Sequence, residues 1–245
     1  MIKLIILNVI LIGIIVFILI IAKKKIISDK AKRLALIISS ILTIVCHYSS
    51  IIYHLFTDGT SIDYLKSNPN LILPIYPCNV VMWSCLVYGL VSKYKIKIFE
   101  FLTDFIFLFG ILACLVGLFA NVDFIRNPSL KDYDVLKGIL AHGFMMLNVL
   151  LIPTLGYFKL NLKKNIINIV FSILLLLIIG LYCNLCFRVL TTEEYAYSVN
   201  SMFLIHSPFE GVNFLTFPFI SVVAIVGYSS VLFVLSKIIK KDKKC

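Results

Sequence analysis

LILPIYPCNVVMWSCLVYGL, residues 71–90, combines a membrane-like run with residues that a membrane helix avoids. It is apolar enough to lie in a bilayer, yet its first turns hold Pro74, Pro77, Cys78 and Asn79. Proline lacks an N–H and fixes φ, so it is tolerated in the first turn of a helix and breaks a helix interior. Pro77 therefore predicts that the regular helix starts near Cys78 and that Leu71 to Tyr76 is partly non-helical. Such backbone at membrane depth is viable only where protein or a water-filled cavity surrounds it. A thiol at that place faces free N–H groups and the positive end of the helix dipole, which favour thiolate. The bland alternative is a small buried hydrophobe beside a helix start.

Outward from this stretch the composition is that of an integral membrane protein: 61% of the 245 residues are hydrophobic and 14% charged. Windows of about 20 apolar residues mark seven segments, roughly 4–22, 34–56, 71–92, 98–120, 136–158, 166–187 and 214–237. They predict an all-α bundle, a single transmembrane domain over residues 1–245 with no room for a soluble one. The first segment is too long for a signal peptide and is followed by Lys23, Lys24 and Lys25, so it reads as a retained helix. Of the 23 Lys and Arg, 17 fall in the loops after segments one, three and five and in the tail. Basic residues near helix ends stay in the cytoplasm, which predicts an outside N-terminus and a cytoplasmic C-terminus, with the cell membrane as location. The same asymmetry beside an anionic inner leaflet accounts for the net charge of +11. It leaves no need for a nucleic-acid partner.

This orientation puts all four histidines in the outer half or outside. Counted at about 1.5 Å per residue, Cys78 lies roughly 10 Å below the outer start of its segment, His142 roughly 9 Å and His47 roughly 14 Å. These three are compatible with one pocket in the outer leaflet. Cys with His is a sufficient pair for acyl transfer through a thioester. His142 also reads as a satisfied interhelical hydrogen bond, with Gly138 and Gly143 beside it allowing close approach of a neighbour. His47, Ser50 and His54 stand at i, i+3 and i+7 as one polar stripe, either a headgroup site or an interhelical seam. Asn79 and Asn121 are candidate oxyanion or substrate ligands. Cys183 to Cys186 has a metal-like spacing, but a lone CxxC in an apolar helix reads first as packing. Gly110, Ala113, Cys114 and Gly117 read as small-residue packing. Asp104, a buried acid on the inner half, is expected to pair with Lys93 or Lys97.

LPIYPCN opening a helix, AHG near the start of the fifth segment, and NSMFLIHSPFEGVNFLTFPF before the last helix together resemble a known family. It comprises the bacterial YwaF-like integral membrane proteins and their animal relatives, the transmembrane protein 164 acyltransferases. The resemblance runs from about residue 40 to the end. It implies transfer of fatty acyl chains between phospholipids and lysophospholipids, with Cys78 as nucleophile and His142 as its base. His47, His54, Asn79, Asn121, Asn200 and His206 are then substrate-binding candidates, membrane phospholipids the partners, and no cofactor or metal is called for. Tyr76 departs from the pattern, since many bacterial members carry His at that place. Two rivals remain: a transporter or solute-binding module built on the broken helix, and a zinc hydrolase using His47, His54, His142 and His206.

Overall fold

The computed structural model of the chain describes residues 2–57, 62–91, 98–119, 129–207, 214 and 216–242. The described residues are mostly helical, and there is no strand among them. The helices are α1 (Ile2–Lys25), α2 (Asp29–Thr57), a short α3 (Ile62–Ser67), α4 (Pro77–Val91), α5 (Ile98–Phe119), α6 (Tyr133–Thr154), α7 (Leu162–Leu190), a short α8 (Glu193–Val199) and α9 (Phe217–Asp242). Single 3₁₀ turns stand at Pro69–Leu71 and Ser201–Phe203.

Six of these helices, α1, α2, α5, α6, α7 and α9, are long and apolar enough to cross a membrane. The expected third span differs. The segment at 71–92 forms only the 15-residue α4, beginning at Pro77, about 22 Å of helix. The reason is the one proline imposes. Neither Pro74 nor Pro77 has an N–H to donate, so the chain from Ile72 to Tyr76 runs non-helically, pinched by a short bond from the Ile75 N–H to the Leu73 carbonyl (2.8 Å).

The chain forms two compact units, Met1–Ile72 with Cys78–Phe158, and Leu73–Pro77 with Lys159–Cys245. In the first unit α6 is the central helix, and α1, α2 and α5 all pack on it. In their most apolar stretches, 56% of α6 is buried against 17% of α1, so α6 forms the core and α1 a skirt exposing Ile and Val. Without a hydrophobic drive between helices in lipid, close approach and buried polar ties hold such a bundle. Gly143 of α6 is the notch for Leu11 of α1: a methyl built there would stand 2.6 Å from Leu11 Cδ2. Asn148 of α6 donates to the Leu36 carbonyl of α2 at 3.0 Å and to Ser40 Oγ. Asn8 of α1 donates to the Leu118 carbonyl of α5.

In the second unit α7 carries both α8 and α9. A small core of Ile75, Cys183, Phe187, Ala196 and Val199 joins α7 and α8 to the segment ahead of Pro77. Cys183 is fully buried there and Cys186 half-buried, both as free thiols.

Candidate functional site

Cys78 is the second residue of α4, half-buried, with the backbone N–H of Asn79 facing its sulfur. That N–H belongs to the first helical turn and has no carbonyl to serve, so a sulfur or an oxyanion can take it. Asn79 is buried, and its amide lies 3.4 Å from His47 Nε2. The same nitrogen is 3.3 Å from the Asn70 carbonyl. The carbonyl can only accept and the amide N–H can only donate. One tautomer of His47 therefore serves Asn70 and the other Asn79, with little movement of the ring between them.

His142 sits on α6 with Nδ1 at 2.8 Å from the Gly138 carbonyl one turn back. That bond fixes the proton on Nδ1 and leaves Nε2 as the basic nitrogen, with no hydrogen bond among the described residues. The ring packs against Gly117 of α5, where a methyl would overlap it. Gly117 is thus small for a specific neighbour, and the packing stripe on α5 is what admits the imidazole. One turn back on the same face, buried Cys114 lies within electrostatic reach of Cys78 and Cys85. His47 in turn lies within electrostatic reach of His142 and Lys137. Asn79, next to Cys78 in the chain, thus reaches His47, and His47 lies within electrostatic reach of His142; no hydrogen bond joins Cys78 to His142 among the described residues.

About 10 Å along α2 from His47, His54 belongs to a second polar cluster. Its Nε2 lies 2.9 Å from Asp134 Oδ2, while Asp134 Oδ1 takes the Tyr64 hydroxyl at 3.2 Å and Lys137 Nζ at 3.2 Å. The Tyr64 ring lies 4.0 Å from His54, Tyr53 stacks on Tyr133 at 4.0 Å, and the Tyr133 hydroxyl donates to Ser49 at 2.8 Å. Burial, reinforced by the Asp134 carboxylate, pushes the Tyr64 phenol up to about 12, so it remains a donor. Asp134, Lys137, Tyr64 and Tyr133 were missed in the sequence. Their signal was an acid and a base at i, i+3 opening an apolar helix, a pairing that low-dielectric surroundings demand.

The remaining candidates fall elsewhere. Asn200 and His206 lie in the second unit, where they bind each other. Asn200 donates to the His206 carbonyl at 2.7 Å and its oxygen accepts from the N–H groups of Ile205 (2.9 Å) and His206 (3.2 Å). Both ring nitrogens of His206 face backbone carbonyls, of Ser207 at 2.9 Å and Tyr197 at 3.2 Å. Asn121 lies outside the described residues, as do Lys93 and Lys97, the partners expected for Asp104. Among the described residues no cluster of three or more His, Cys, Asp or Glu is placed to hold a metal ion.

No curated protein and no solved structure matches the chain. The profile of the TMEM164 family does, over residues 1–240, and a match of that extent on a multi-helix, apolar chain means that this protein belongs to the TMEM164 family.

Proposed function

We propose that this protein is a membrane lipid acyltransferase or lipid esterase working through Cys78 and His142. What supports the reading is a thiol at a helix start whose neighbour Asn79 is held against His47, together with His142 on α6, whose Nδ1 is taken by Gly138 and whose Nε2 is left basic. In the first step His142 Nε2 takes the Cys78 proton and the sulfur attacks the ester carbonyl of a membrane lipid. The oxyanion is stabilised by N–H groups of the first turn of α4 and by the Asn79 amide. Collapse breaks the acyl C–O bond, His142 returns its proton to the departing alcohol, and a Cys78 thioester remains. A lysolipid hydroxyl or water then attacks the thioester carbonyl with His142 again taking the proton, and the thiol leaves restored. His47 orients the carbonyl or the headgroup beside Asn79. In this reading α4 is the seventh, short membrane segment, the N-terminus faces outside, the site lies in the outer leaflet of the cell membrane, and phospholipids are the substrates.

Activity-based labelling of purified protein with a lipid ester probe, read by intact mass, tests it. The expected result is a single acyl adduct on the wild type, absent in Cys78→Ala and sharply slowed in His142→Ala. Folded wild type that takes no adduct overturns it. The non-helical chain ahead of α4 favours one second reading, a solute-binding cavity. That reading predicts solute-dependent thermal stabilisation that survives Cys78→Ala.

A further inference from the structure

Three non-glycine residues stand at positive φ in the described chain, and all three lie within four positions of each other: Asn200 (44°), Met202 (54°) and Phe203 (57°). Left-handed backbone is costly for residues with a Cβ and persists only where surroundings over-determine it. Here they do. Asn184 of α7 accepts from the Ser201 N–H at 2.8 Å and donates to the Ser201 carbonyl at 3.3 Å. Met202, 1% exposed, is seated on Gly180, where a methyl would stand 2.8 Å from its Cγ. Asn200 ties the far side of the turn to Ile205 and His206.

What the strained turn holds is one carbonyl. The Met202 N–H donates to the Ile75 oxygen at 2.8 Å and Ser201 Oγ donates to the same oxygen at 3.2 Å. Ile75 is fully buried and the Tyr76 ring lies 5.8 Å from Phe203. A carbonyl of a non-helical segment lacks the partner that the next helical turn would supply, and in a bilayer it must be given one. Ile75 is three residues ahead of Cys78, with Pro77, whose φ is fixed, between them.

We infer that the Asn200–Phe203 turn is a clamp that positions the nucleophile: by capturing the Ile75 carbonyl it sets where α4 starts and so where the Cys78 sulfur points. Ser201 and Asn184 are its positioning residues, and neither takes part in the chemistry. The inference rests on the acyl-transfer reading for its consequence, but its geometry can be read without it.

Two probes separate the two. The full-length protein in detergent is treated with the lipid ester probe and, in parallel, with N-ethylmaleimide, and the rate of modification of Cys78 is followed by peptide mass mapping with Cys186 as internal reference. In Ser201→Ala and Asn184→Leu the clamp predicts that acylation of Cys78 falls about tenfold to a hundredfold, the scale set by displacement of a reacting atom by about 1 Å. Maleimide modification of Cys78 relative to Cys186 should shift as well, and Ser201→Thr, which keeps the hydroxyl, should recover most of the wild-type rate. Folded Ser201→Ala and Asn184→Leu proteins with wild-type Cys78 rates toward both probes overturn the clamp. A maleimide shift in a protein whose wild type is never acylated keeps the clamp and overturns the acyl-transfer reading.

Discussion

Asn200 and His206 of the second unit and His47 and His142 of the first use their side chains in different ways. In the second unit, Asn200 and His206 spend their side chains on backbone groups of their own turn, and both His206 ring nitrogens face carbonyls. In the first, His142 uses one nitrogen on Gly138 and keeps the other, while His47 shares one nitrogen between Asn70 and Asn79. A loop has unpaired backbone to satisfy and takes polar side chains for that purpose; a helix has paired most of its own backbone, so a polar side chain on it can reach a neighbouring element.

The sharpest way to break this contrast is at the available pair. Cys78→Ala should remove the acyl adduct completely, and His142→Ala should slow its formation about 10²–10⁴-fold, both measured by intact mass. Gly117→Ala places a methyl in the space of the His142 ring. Its acylation rate should fall about tenfold or more, with a stability loss of about 1–3 kcal/mol read in a thermal melt. A wild-type rate there would mean that the ring has no fixed task.

The cluster at the end of α2 is predicted to act on stability. Asp134→Ala leaves His54, Tyr64 and Lys137 without their shared acceptor and should cost about 2–3 kcal/mol. His206→Ala should cost only about 1 kcal/mol, since Asn200 keeps its bonds to the backbone, and the folded variant should still acylate Cys78. If instead it is dead though folded, the two units do not divide the labour as described. Tyr64→Phe is the smallest change. The wild-type phenol, raised from 10.0 to about 12, holds its proton longer in the folded state than in the unfolded one. Its contribution is therefore full below pH 10 and lost as pH rises through about 12. An alkaline melt series should show that loss in wild type and not in Tyr64→Phe.

Much of the bundle was legible because lipid imposes strict rules on a helix. Length and apolarity alone mark the spans α1, α2, α5, α6, α7 and α9, and Pro77 marks the start of α4 because a ring without an N–H is best tolerated in a first turn. The polar stripe of α2 was equally legible, and its members are Ser50, fully buried, with His47 and His54 half-buried. Partners were not. That His54 goes to Asp134 while His47, seven residues earlier, goes to Asn79 depends on what α4 and α6 present at each level. Gly117 read as generic small-residue packing, and only its neighbour shows that it is the seat of the His142 ring.

Hydropathy and proline placement are enough to make this an all-helical membrane protein, to mark where its apolar helices run and to cut one of them short. Hydropathy and proline act locally, residue by residue, and need no knowledge of the rest of the chain. Packing sets which polar side chain meets which, why Gly117 and Gly180 are glycine, and that Ser201 and Met202 hold the carbonyl of Ile75 across more than a hundred residues. Those are pairings between distant parts of the chain, set by the rotation and depth at which helices pack, and neither quantity is written in any single segment.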